Sequence, residues 1–151
     1  MQVPRRPNKE QNDAAIAMFE QALKLDPNEP DALAGLALAY GRNNFWRWAG
    51  ANPDLTPKII ALSDRAIELD PHNVTAYIAK AIYYIGLDDQ PNEAIRIANA
   101  GLAINPNSAA LYAARGSAEQ YVNRYAESIS DVEKARGLNR YDPEVLLFLS
   151  P

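Results

Sequence analysis

Apolar residues return along this chain at helical spacing. Over residues 12–25 they fall at Ala15, Phe19, Ala22 and Leu23, the i, i+4, i+7, i+8 pattern of one helix face. A second stretch, 31–40, carries Leu33, Leu36, Ala37 and Tyr40 on one face, with Ala34 and Leu38 on another. Glycines, Asn43-Asn44 and Asn52-Pro53 then predict an irregular segment over 41–55. Thr56-Pro57 predicts a restart, with Thr as N-cap and Pro at the first helical position, and a third helix to Leu69. Residues 74–85 carry two stripes, Tyr77, Ala81 and Tyr84 beside Ile78, Ile82 and Ile85, so this helix should be covered on two sides. Further helices are predicted over 91–104, 108–121 and 125–138, and Asp142-Pro143 opens a last apolar run, Val145 to Leu149. Alternating strand patterns bounded by hairpin turns are absent from the sequence. The chain reads as all-α, with seven or eight helices and antiparallel neighbours joined by short loops.

Three of these helices stop in the same way. Leu25-Asp26-Pro27, Leu69-Asp70-Pro71 and Ile104-Asn105-Pro106 each follow a small residue and helically spaced apolar ones. Proline lacks an N–H, clashes with the preceding turn and pushes the residue before it out of the α region. A polar residue, Asn28, Asn73 or Asn107, is then close by to start the next helix. The prolines are spaced by 44 and 35 residues, which signals a stack of small helical units.

The residues at these spacings resemble the tetratricopeptide repeat (TPR). The first predicted helix supplies the second half of a repeat: Ala15, Phe19, Ala22, Pro27. Leu33, Leu36, Ala37 and Tyr40 with Ile59, Ser63, Ala66 and Pro71 make a full repeat. Tyr77, Lys80, Ala81 and Tyr84 with Ala94, Ala98, Gly101 and Pro106 make another. The last has Tyr112, Arg115, Gly116 and Glu119 with Ser128, Val132 and Ala135, and Arg140 where the proline belongs. Lys80, Ser63 and Ala98 depart from the family pattern. The resemblance divides the chain into a flexible segment 1–11, an array of a half repeat plus three repeats over 12–140 with an insertion at 41–55, and the start of a capping helix at 141–151. It implies antiparallel helix pairs stacked into a right-handed α-solenoid whose first helices line a concave face. Met1 before Gln-Val-Pro reads as an added start on a fragment, and the apolar run 145–149 as a chain that continues or folds back as a cap.

By the same resemblance the concave, partner-binding positions are Ala34, Leu38 and Arg42; Thr75, Ile78, Ile82 and Ile85; and Ala113, Ser117, Gln120 and Tyr121, with Asp31 and Ala110 beside them. Chaperone-binding relatives hold a peptide carboxylate there with Lys, Arg and Asn. This groove lacks that clamp and is mostly apolar. The expected function is therefore protein–protein interaction: a scaffold module taking an apolar helix or extended segment. The alternative is that the protein's own residues fill the groove. A second resemblance, to TPR regions of bacterial signalling proteins that follow nucleotide cyclase or winged-helix domains, implies a regulatory region acting on its own attached domain. The insertion adds Phe45, Trp46 and Trp48, with Arg47. Such rings make interface hot spots. They equally serve as anchors for a long loop or a cover for the groove, and both readings stand at this point.

Composition narrows the partners. Net charge is −4 over 151 residues, with no basic cluster beyond Arg5-Arg6, which argues against nucleic acid. There is no cysteine, hence no disulfide or thiolate chemistry, and this leaves cytoplasm and periplasm both open with cytoplasm expected. No apolar run is long enough to insert in a membrane. His72, the single histidine, follows a helix-ending proline and reads as a solvated linker residue. Asp88-Asp89 lacks EF-hand spacing, and phosphate loops and nucleophile elbows are missing, so no enzyme activity, metal or cofactor is expected. Unpaired apolar faces at the end repeats predict a homodimer through end stacking.

Overall fold

The structure is a computed structural model and describes residues 8–48, 52–86 and 88–149. Among them are eight α-helices and no strand: α1 Lys9–Leu25, α2 Pro30–Phe45, α3 Thr56–Leu69, α4 Val74–Gly86, α5 Pro91–Ile104, α6 Ala109–Tyr121, α7 Tyr125–Asn139 and α8 Pro143–Leu149. A 3-10 turn, Pro53–Leu55, precedes α3.

One turn is used four times between these helices. Asp26, Asp70 and Asn105 leave the helix in extended conformation, each cap N–H still bonded to the carbonyl four residues back. Each side chain then accepts the N–H two residues on, from Asn28, His72 and Asn107, all at 3.0 Å. Asn139 accepts from Tyr141 N–H at 3.1 Å in the same way, with Arg140 in place of the proline. The proline is thus dispensable where the Asx turn is kept. Three residues after each of these comes the cap of the next helix: Glu29, Asn73, Ser108 and Asp142. Asn73 was expected in that role, whereas Asn28 and Asn107 give it up to Glu29 and Ser108.

Three helix boundaries differ from the expectation. α1 begins at Lys9 because Asn8 Oδ1 caps Gln11 N–H, so the segment expected to be loose overlaps the helix at its end. Residues 1–7 lie outside the described residues. α2 runs on through Gly41, Asn43 and Asn44 to Phe45. Packing overrides the weak local propensity there: Asn12, buried, donates to Ala39 O at 2.9 Å and Asn43 Oδ1 at 3.2 Å, tying α1 to this last stretch. Thr56 is the first residue of α3 rather than its cap. The 3-10 turn feeds straight into the helix, and Thr56 Oγ1 receives Asn44 Nδ2 at 3.4 Å.

The even-numbered helices α2, α4, α6 and α8 pack side by side, and each of α1, α3 and α5 packs on the even helix that follows it. Small residues permit this close approach. Ala34, Ala37, Ala76, Ala79, Ala81, Ala110, Ala113 and Ala114 are all buried in the even helices. Gly35 leaves space that the Phe19 ring of α1 occupies, space a Cβ would take. α4 is covered on two sides as expected, but Ile85 leaves its expected stripe: it packs with Ala81, Tyr77 and Tyr84, while Ile78 and Ile82 lie in another cluster.

Candidate functional site

The inner face of the even helices is where the expected binding positions were placed. Ile78 and Ile82 of α4 and Ala110 of α6 share one apolar cluster with Leu147 of α8, and Leu111 and Leu102 carry that cluster into the α5–α6 seam. Leu38, Phe45, Trp46 and Phe148 close in around it. Asp142 Oδ1 starts α8 by accepting Glu144 N–H at 2.9 Å and Val145 N–H at 3.3 Å. The apolar run 145–149 then turns Val145 (2% exposed) and Leu147 (4%) inward. Burying two such side chains contributes about 1.5–3 kcal/mol each. Phe148 meets Phe45 edge to face, centroids 5.8 Å apart. Trp46 meets Phe45 edge to face at 6.2 Å and stacks on Trp48 at 6.2 Å.

One ion pair spans this face. Arg42 of α2 donates from Nε to Glu144 Oε1 of α8 at 2.6 Å, and a second guanidinium N–H reaches the same oxygen. Glu144 is buried. Burial pushes its carboxyl up, against the lowering by Arg42. Arg42 is therefore the partner that lets Glu144 carry charge in an apolar seam. Trp46 Nε1 is buried with no hydrogen-bond partner among the described residues, so the aromatic cover leaves one polar group unsatisfied on that side.

Of the residues expected to bind a partner, Leu38, Arg42, Phe45, Trp46, Ile78 and Ile82 gather around α8, and Trp48 joins through its stack. The others lie elsewhere. Ala34 is buried with Leu33, Ala66 and Ala76, Ile85 with Ala94 and Ala114, and Ala113 with Ala135 and Val145: all three are used in helix seams. Thr75 and Ser117 are half-buried, and Gln120 and Tyr121 are exposed at the end of α6. Asp31 accepts Asn73 Nδ2 at 2.8 Å, a structural tie. Glu144, Leu147 and Phe148 were not expected at the site. The apolar run was the available signal for them; its destination depends on topology.

Behind the even helices, equivalent positions of the repeats differ sharply. Leu36, Lys80 and Arg115 share one repeat position. Lys80 Nζ reaches Asp64 Oδ1 at 2.6 Å. Arg115 holds Asp131 through Nε at 2.6 Å and Nη2 at 2.8 Å, and Asn99 at 2.7 Å, with its guanidinium 5.3 Å from the Tyr112 ring centroid. Tyr40, Tyr84 and Glu119 share another. Glu119 is buried with Oε2 unpartnered, and burial first, then the charge of Asp131, raises its carboxyl to about 7. No grouping of His, Asp or Glu among the described residues suits a metal ion. No helix among them is long and apolar enough to cross a membrane.

Residues 8–44 match the family model of the TPR repeat. Over 81 residues the chain is 33% identical to a TPR repeat-containing thioredoxin of Arabidopsis thaliana, covering 54% of this chain and 21% of that protein. It is 43% identical over 81 residues to a FAM10 family protein of the same plant, covering 54% of this chain and 18% of that one. The chain thus spans about a fifth of the length of these curated relatives. The chemistry in the first relative's name has no counterpart here, since this chain has no cysteine. Among solved structures, a thermophilic TPR protein of Thermus thermophilus superposes with TM-score 0.73 at 20% identity, covering 93% of this chain and 75% of that one. A double mutant of MamA (RS-1) gives TM-score 0.62 at 16% identity, covering 87% and 67%. These structures show the shared fold.

Proposed function

We propose, from the premise that this chain is a TPR repeat protein and a protein–protein interaction module, that its inner groove is a receptor for an apolar helix and that α8 is its resident occupant. What supports this reading is Leu147, seated in one cluster with Ile78 and Ile82 and roofed by Phe45 and Phe148. α8 is a seven-residue helix, too short to be stable by itself. It holds its place by side-chain burial and the Arg42–Glu144 pair. A partner offering a longer apolar face and a carboxylate at the Glu144 position would present the same chemistry over more surface. Competition with the resident helix sets the apparent affinity. The module has no catalytic role in this reading. A synthetic peptide of residues 141–149, fluorescently labelled, tests it by titration. Leu147→Asp, which expels α8, is expected to bind the peptide about tenfold tighter or more than the unaltered chain does. Equal affinity for both would remove the groove as a helix receptor.

The regulatory alternative, in which the occupant is an attached domain of the same protein, uses the same groove and differs only in the source of the helix.

A further inference from the structure

A second surface lies behind the groove. α1 and α3 flank a cleft of about 570 Å3 whose floor is the back of α2. None of its lining residues belongs to the cluster around Leu147. Leu33 and Leu36 of α2 are buried in its floor, with Leu23 and Leu62 half-buried on its walls. The corresponding positions at the other end of the array line a smaller cleft, of about 450 Å3, and are polar. Leu36 is replaced by Arg115, Tyr40 by Glu119, Lys58 by Glu127 and Leu62 by Asp131, and the Arg115–Asp131 pair bridges α6 to α7. At Leu36 there is no such bridge, and the floor is apolar.

The rim has a definite sign in a chain whose net charge is −4. Lys24 and Lys58 are exposed and have no ion pair among the described residues. Arg65 pairs locally with Glu68. The single lining carboxylate, Glu20, is engaged by the Tyr40 hydroxyl at 2.9 Å. Tyr40 is a firm donor there, its hydroxyl pushed up to about 12 by burial and by Glu20. The lining runs from Glu20 to Lys24 on α1 and from Lys58 to Arg65 on α3, one to two turns of helix.

We infer that this cleft is a second docking site, for a short amphipathic helix of a partner protein with leucine-like residues on one face and Asp or Glu flanking them. The apolar face fills the space over Leu33 and Leu36, and the flanking carboxylates meet Lys24 and Lys58. Apolar anchors supply affinity, while the rim charges supply orientation and discrimination.

The probe is a labelled helical peptide of about three turns with leucines at i, i+3, i+4 and i+7 and glutamates beside them. Its twin carries lysines in place of the glutamates. Anisotropy with the full chain should show the acidic peptide bound about tenfold tighter than the twin, with the preference reversed in Lys24→Glu/Lys58→Glu. Ala61 is exposed on the cleft wall, so Ala61→Arg blocks the space without entering the core. It should weaken the acidic peptide about tenfold or more. Leu147→Asp, which acts on the inner groove, should not weaken it. Equal binding of the two peptides, or binding untouched by Ala61→Arg, would overturn the assignment. So would self-association of the chain that Ala61→Arg abolishes, because the occupant would then be a second copy.

Discussion

The two faces of this array share the same helices and are finished differently. On the inner face, Ile78, Ile82 and Ala110 are covered by Leu147 and Phe148 of α8 and by Phe45 and Trp46. On the outer face the cleft over Leu33 and Leu36 has an apolar floor, while its counterpart at the other end is polar, with Arg115 paired to Asp131. A repeat scaffold fixes where side chains point. Which residue stands at a repeated position then decides whether that place is bridged by an ion pair, covered by the chain itself or left apolar and exposed.

That contrast can be broken at its polar end, and the largest effect is expected there. Arg115→Ala leaves Asp131 buried without its guanidinium and next to Glu119. A loss of about 3–5 kcal/mol is expected in denaturant unfolding. The matching change at the apolar end, Leu36→Ala, removes apolar contact without stranding a charge and should cost about 2–3 kcal/mol. Equal losses would mean that the ion pair adds nothing beyond packing.

Glu119 sharpens the comparison through pH. Its carboxyl is raised to about 7 in the fold, above the ordinary 4.5. A raised carboxyl binds its proton more tightly folded than unfolded. Its favourable contribution is thus complete below about pH 4.5 and lost as pH rises through 7. Glu119→Gln should match the unaltered chain at pH 5 and exceed it by about 1–3 kcal/mol at pH 8. A pH-independent difference would place the carboxylate in water. The smallest effect belongs to the open cleft. Ala61→Arg should change stability by no more than about 0.5 kcal/mol, since the side chain enters free space.

Much of this architecture is legible in the sequence because it rests on local chemistry. Asp26, Asp70 and Asn105 before proline announce helix stops, and the apolar stripes of 12–25 and 74–85 announce buried faces. The continuation of α2 through Gly41 and Asn44 was not legible, because Asn12, 27 residues before Ala39, supplies the tie. The inner groove was half legible. Leu38, Ile78 and Ile82 follow from repeat positions, whereas Ala34, Ile85 and Ala113 are consumed by helix seams that only three-dimensional packing defines. The pairing of Arg42 with Glu144 lies beyond any local pattern, being set by the stacking of the repeats between them. The outer cleft follows from comparing Leu36 with Lys80 and Arg115, a comparison that gains meaning once Arg115 is seen to bridge two helices.

α8 is proposed to occupy the inner groove as an exchangeable ligand would. Methyl NMR on the full chain tests it most directly, with and without saturating unlabelled peptide of residues 141–149. Cross-peaks between Leu147 and the Ile78–Ile82 cluster are expected in the free chain. They should disappear on saturation, replaced by peaks from the same isoleucines to the peptide. Leu147 cross-peaks that persist at saturation would show α8 to be a fixed part of the fold and not an exchangeable occupant.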